Sequence, residues 1–147
     1  MTNEDIKVFL GHQEEVQKCN IMFVIAGETV NPKLLSEMLV LEPSYAWAKG
    51  DRHVGKSGRD LRRPMGHWSI TTEELASKSM EEHCRRLLAL LEGRESVVRE
   101  LRNSGEYRVS MSIWWQVGEI GHGSFNLLST TVSCLAKYCD DFEFHFL

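Results

Sequence analysis

The run Gly50-Asp51-Arg52-His53-Val54-Gly55-Lys56-Ser57 satisfies the pattern G-x-x-x-x-G-K-S. In a phosphate-binding loop with that spacing, backbone N–H groups cradle a β-phosphate, the lysine reaches the β and γ oxygens, and the serine holds Mg²⁺. The chemistry needs a buried strand before the first glycine and a helix that starts at the lysine. Neither is indicated here. The preceding residues, Pro43-Ser44-Tyr45-Ala46-Trp47-Ala48-Lys49, do not read as a buried parallel strand, and Gly58 and Pro64 leave too little room for the helix. No later run of four aliphatics ends in an aspartate that would complete a metal–nucleotide site. The NTPase reading is refused on these grounds.

The charge of the run survives that refusal. Between Lys49 and Arg63 stand six basic residues, Lys49, Arg52, Lys56, Arg59, Arg62 and Arg63, against Asp51 and Asp60. The segment therefore carries +4 in a chain of net charge −4, which leaves −8 on everything else. Such asymmetry is a local electrostatic footprint on an acidic body. One reading is a solvated loop whose charges keep it soluble. The sharper reading is docking onto an acidic partner protein, or onto the phosphates of a nucleotide or nucleic acid. Trp47 before the segment is a candidate anchor, whereas Trp68 after it begins a strand and is assigned to the core. The acidic body disfavours long duplex DNA.

Other chemistries find less support. Cys134, Cys139 and either His83 or Cys84 would be the ligands of a zinc site, but the chain has no C-x-x-C or H-x-x-x-H pair. A five-residue separation also puts two helical thiols on different faces. Four reduced, mostly buried thiols are expected instead, Cys19 included. The acidic pairs Glu14-Glu15, Glu73-Glu74, Glu81-Glu82 and Asp140-Asp141 fall at helix starts, polar stretches or turns, and His67, His122 and His145 are scattered. No catalytic residue, metal or cofactor is expected.

The elements that must position these residues follow from patterning. With 147 residues, 42% apolar and 26% charged, the chain has room for one domain and one core. Its longest apolar run, Ile21–Ala26, is of strand length and far short of a membrane span, and the acidic N-terminus lacks the features of a signal peptide. A cytoplasmic protein without a membrane partner is expected. Residues 1–18, with an apolar patch at Ile6, Val8, Phe9 and Leu10, read as an N-terminal extension that accommodates one short helix. Residues 19–147 read as a single α+β domain.

Ile21–Ala26 is apolar on both faces, as in a central strand. Asn31-Pro32 caps a helix through Leu39 that Pro43 stops. Residues 44–66 show no period and read as a long basic loop, and His67–Thr72 as a short strand. Ser79-x-x-Glu82 opens a helix with the stripe Met80, Cys84, Leu87, Leu88 and Leu91. A second helix carries Val97, Val98 and Leu101. Tyr107 to Val117 alternate strictly, which is a strand. On its polar face stands Trp114: a covering helix makes it core, an open face makes it an anchor beside Arg108 and Gln116. Gly118, Gly121 and Gly123 turn the chain, Phe125 and Leu127 suit a return strand, Ser129 caps a helix, and Phe142, Phe144 and Phe146 alternate in the last strand. The expected fold is α+β: a mixed, mainly antiparallel sheet with helices packed on one face, built as a ferredoxin-like pseudo-repeat of two β-α-β halves joined by linking helices.

The residues Phe23-x-Ile25-x-Gly27, Asn31-Pro32, Leu41-Glu42-Pro43 and Lys49-Gly50-Asp51 resemble the opening of the bacterial domain of unknown function 4279 family. Trp68, the helix from Glu82-His83 to Leu91, and Leu135-Ala136 before the closing aromatic strand continue the resemblance over residues 20–147. It implies a small α+β domain without established chemistry, of a sort considered for immunity-type or phage-related accessory roles. No functional residue carries over from it, and the basic loop after Gly50-Asp51 departs from it.

The expected function is thus a non-enzymatic interaction protein of immunity or anti-defence inhibitor type. It would bind an acidic partner through Trp47, Lys49, Arg52, Lys56, Arg59, Arg62, Arg63 and Trp114. The alternative is a small-ligand or nucleotide-binding domain that uses the glycine-rich loop as a phosphate nest.

Overall fold

A computed structural model describes residues 16–117 and 124–147. The apolar patch at Ile6–Leu10 and the turn glycines 118, 121 and 123 lie outside the described residues. Strand β1 (Val16–Gly27) is followed by helix α1 (Pro32–Leu39) and by strands β2 (Tyr45–Trp47), β3 (Arg52–Val54), β4 (Asp60–Arg62) and β5 (Gly66–Thr71). Helices α2 (Met80–Leu91) and α3 (Glu95–Asn103) come next, then β6 (Arg108–Val117), α4 (Ser129–Ala136) and β7 (Asp141–Phe146). One five-stranded sheet has the order β2-β5-β1-β6-β7, and β3 and β4 form a second, two-stranded sheet. Every pairing is antiparallel except β6 with β7. The class is α+β.

Strand β1 occupies the centre, where its Ile21–Ala26 run, apolar on both faces, is flanked by β5 and β6. Its register aligns Ile25 with Trp68 and Val109, Phe23 with Ile70 and Met111, and Ile21 with Ile113. By strand alternation these side chains share one face. There they form one core with Leu35 and Leu39 of α1, Met80, Cys84, Leu87 and Leu91 of α2, Val98 and Leu101 of α3 and Leu135 of α4. The helices thus pack on a single face. The opposite face carries Met22 and Val24 of β1 beside Ser69, Ser110 and Ser112, so among the described residues helices seal only one side of β1, although the run is apolar on both.

Local signals place the first two helices. Asn31 Oδ1 accepts the Leu34 N–H at 3.2 Å with Pro32 in the first turn, and Ser79 Oγ accepts the Glu82 N–H at 3.3 Å. Helix α1 ends before Pro43 can act, at Val40, which adopts a left-handed conformation with φ 54°. Arg94 makes that end affordable in the folded state. Its guanidinium donates to the carbonyls of Leu39 (2.5 Å) and Val40 (3.0 Å) and to those of Leu90 (3.1 Å) and Glu92 (3.2 Å), tying the ends of α1 and α2 together.

Three expectations are corrected and one is not confirmed. Residues 44–66 are not a loop but most of a long hairpin. Phe125 and Leu127 form no return strand; the segment is irregular, and Phe125 packs edge-on against Trp115 with ring centroids 5.1 Å apart. Ser129 does not cap its helix. Leu128 holds the cap position, and the acceptor is Glu81 on α2, which takes the Leu128 N–H at 2.8 Å and the Thr131 hydroxyl at 2.7 Å. Finally, the two halves are not equivalent, because β1 and β5 pair antiparallel whereas β6 and β7 pair parallel around α4. The ferredoxin-like pseudo-repeat is not confirmed by this pairing.

Candidate functional site: a cationic β-arm

The hairpin begins in the main sheet and leaves it. Tyr45 pairs with Ser69 and Trp47 with His67; beyond the sheet, Arg52 pairs with Arg62, His53 with Leu61 and Val54 with Asp60. The register is the same on both sides of the gap, so β2–β3 and β4–β5 make one ribbon. The arm's own ladder, Arg52–Val54 against Asp60–Arg62, is three residues a side, roughly 10 Å at about 3.3 Å per residue.

Turn chemistry accounts for the glycines of the phosphate-loop pattern. Asp51 N–H returns to the Ala48 carbonyl at 3.2 Å, with Gly50 between them at φ 88°. Gly50 N–H donates to the Arg63 carbonyl and Arg63 N–H to the Asp51 carbonyl, both at 2.8 Å. Two residues thus face one, a glycine bulge that bends the ribbon where Pro64 cannot donate to the ladder. At the tip, Gly58 (φ 77°) donates to the Gly55 carbonyl at 3.0 Å, and Gly55 donates to the Arg59 carbonyl at 2.9 Å. A side chain at Gly55 would meet Leu61 Cδ1 at 2.8 Å. No helix follows Lys56, which sits in the turn. Two of the amides that a phosphate nest would offer are already committed within the hairpin.

The cations divide into two groups. Lys49 pairs with Glu28 at 3.5 Å, and Arg52 pairs with Asp60 across the two strands. Arg62 donates to the Gly50 carbonyl at 3.1 Å, bracing the bulge. Lys56, Arg59, Arg62 and Arg63 have no carboxylate partner among the described residues. Lys56, Arg59 and Arg62 are exposed towards the tip, while Arg63 lies at the root, its guanidinium carbon 3.9 Å from the centre of the Trp47 ring.

Trp47 is the lock at that root. Its indole stacks on His67 with centroids 4.3 Å apart and planes 12° from parallel, and its Nε1–H donates to the Met65 carbonyl at 3.0 Å. His67 Nε2 is in turn 2.7 Å from Ser69 Oγ. Burial first, and then the neighbouring Arg63 charge, hold the His67 pKa below its ordinary value. An indole engaged in this way positions the arm and has little ring surface to offer a base. His67 was not among the expected site residues. It became visible only through the cross-strand register, because 20 residues separate it from Trp47.

Trp114 is not brought to the arm. It lies on the helix-free face, three strands and six rows from Trp47, roughly 25 Å away by strand spacing. No helix covers it. It stacks on His145 with centroids 3.8 Å apart and planes 8° from parallel, and its Nε1 is buried without a hydrogen-bond partner among the described residues. A cavity of about 140 Å³ adjoins it, lined by Lys18, Asn20 and Gln116 among others.

The residues weighed for metal or nucleophilic chemistry are occupied otherwise. His83 is fully buried; its Nε2 donates to the Ser77 carbonyl and its Nδ1 accepts from the Thr72 hydroxyl, each at 2.7 Å. Burial pushes the thiols of Cys19 and Cys139 up to about 11 and that of Cys84 up to about 12. Among the described residues no three His, Cys, Asp or Glu side chains gather as a metal site, and no helix is long and apolar enough to cross a membrane.

A family model described as a domain of unknown function (DUF4279) matches residues 17–146. No curated protein and no solved structure matches the chain.

Proposed function

Because the chain belongs to the domain of unknown function 4279 family, which assigns it no chemistry, we propose a function from the arm itself. The protein is a non-enzymatic interaction protein that inserts its cationic β-arm against an acidic surface of a macromolecular partner, in the manner of an immunity or anti-defence inhibitor. The observation that carries this reading is the arm's combination of rigidity and unpaired charge. A two-stranded ribbon locked by Trp47, His67 and Arg63 carries Lys56, Arg59 and Arg62, which no carboxylate of the described residues neutralises. Fixed cations cost less entropy on docking than cations on a loose loop, and they steer encounter with an acidic partner. The nucleotide alternative is weakened by the hairpin's own use of its amides.

The test is a pull-down from nuclease-treated host lysate, comparing wild type with a Lys56→Ala/Arg59→Ala/Arg62→Ala variant. A stoichiometric protein retained by the wild type, lost by the variant and released as salt rises supports the reading. Capture that is indifferent to the three substitutions would sink it. A melting-temperature rise with ATP or GTP would transfer the arm to phosphate binding.

A further inference from the structure

The two edges of the main sheet are built differently. At one edge, β2 has three paired residues and runs directly into Lys49 and the cationic arm, which blunts it as a template for another strand. At the other edge, β7 has six residues, Asp141-Phe142-Glu143-Phe144-His145-Phe146, with no lysine, arginine, proline or bulge. Among the described residues no strand pairs with its outer side. Phe144 and Phe146 are 60% and 57% exposed on the helix side of this edge, and Leu147 beyond them is 66% exposed. Leu128 and Val132, both exposed and four residues apart, share one face of the neighbouring α4.

The strand is also complementary to itself. Antiparallel pairing about a two-fold axis through Phe144 sets Glu143 opposite His145 of the second copy, twice, on the helix-free side. On the helix side it sets Phe144 opposite Phe144 and Phe142 opposite Phe146. Aromatic pairs directly across two strands stabilise a sheet, and the Glu143 carboxylate is placed to accept from the His145 ring N–H. Within one copy Glu143 is ion-paired with Arg108 of β6 and also contacts His145 at 3.2 Å along the strand. We propose that β7 is a self-association edge, and that its occupant is β7 of a second copy of this chain, giving a continuous ten-stranded sheet with a C2 axis. A two-fold contact is isologous, so it closes at two copies. The basic arms stand at the two far ends of that sheet, which makes the dimer a bivalent presenter of the cationic surface. Six paired residues and a few phenylalanines bury less than a standard interface, so the equilibrium is concentration-dependent.

Sedimentation equilibrium over a concentration series, with the wild type and a Phe144→Lys variant, tests this. Phe144 is exposed, so lysine there leaves the fold intact and sets two like charges face to face on the axis. The wild type is expected to show a reversible monomer–dimer equilibrium, and Phe144→Lys to weaken it at least about tenfold. A Phe144→Cys variant, oxidised, is expected to give a dimer whose mass-spectrometric cross-link joins 144 to 144, while Val54→Cys on the arm does not. A wild type that stays monomeric throughout overturns the proposal, as does a dimer that keeps its affinity with Phe144→Lys and yields no 144–144 bridge.

Discussion

The indole of Trp47 and the imidazole of His67 lie 4.3 Å apart and nearly parallel, with the Arg63 guanidinium against the same indole. Two strands that part company at the edge of the sheet are thereby clamped at the point where the arm leaves it. The charge chemistry at the tip depends on this apolar and aromatic contact at the root.

Replacing Trp47 with alanine removes the stack, the cation–π contact and the Nε1–H bond to Met65. The core is not touched, so global stability should fall by only about 1–2 kcal/mol. Amide exchange in Arg52–Val54 and Asp60–Arg62 should accelerate while that of β1 and β6 stays slow. Unchanged exchange in the arm would show that the ladder alone holds it.

His67 resists protonation in the folded state, below its ordinary value of 6.5, because it is buried and faces Arg63. As pH falls through that value, the unfolded chain takes up a proton that the folded chain refuses. Stability is therefore full above about pH 6.5 and declines below it, levelling off once pH drops beneath the folded pKa. A His67→Gln variant should flatten the decline in urea midpoint between pH 7 and pH 5. An identical decline in the variant would assign it elsewhere.

Glu81 supplies the cap of α4 from a different helix. Burial works against its ionisation, but the Thr131 hydroxyl, the Leu128 amide and Arg85 outweigh it and hold the carboxyl below its ordinary 4.5. Its contribution is present at neutral pH and is lost as pH falls from about 4.5 through the lower folded value, a window distinct from that of His67. Glu81→Ala should cost about 1–2 kcal/mol at pH 7 in urea unfolding. A midpoint equal to wild type would mean that water caps α4 as well as Glu81 does.

Arg94→Lys keeps the charge but cannot reach four carbonyls on two helix ends at once. A loss of about 1–3 kcal/mol is expected, with faster exchange at the ends of α1 and α2. Retention of full stability would show that charge, not fork geometry, is what the site needs.

With three thiols buried and raised to about 11 or 12, a thiol reagent at pH 8 should label the native protein quickly at half-buried Cys134 alone, and at all four cysteines only in denaturant. Rapid native labelling of Cys84 would contradict its burial.

Much of this was legible in the residues. The all-apolar Ile21–Ala26 run could only be a central strand, the alternation from Tyr107 to Val117 could only be a half-buried one, and Asn31-Pro32 and Ser79-x-x-Glu82 announce their helices because a cap is a contact between residues three apart. Charge is additive along the chain, so the +4 segment was visible by counting. Residues 44–66 escaped because a hairpin outside the core needs no apolar period. Its glycines answer to a bulge and a turn.

What the tertiary structure alone decided is which distant residues meet. Trp47 with His67, Trp114 with His145, Glu81 with Leu128 and Thr131, and Arg94 with Leu39 and Val40 are partnerships set by strand register and helix placement. A one-residue slip would reverse every face, and the register is chosen by the packing of Phe23, Ile25, Trp68 and Met111 in a core to which, Leu39 apart, none of those partners belongs. The sequence determines the elements and the charge because both are local properties. Their meeting points are properties of the whole fold, since they are fixed by apolar burial elsewhere.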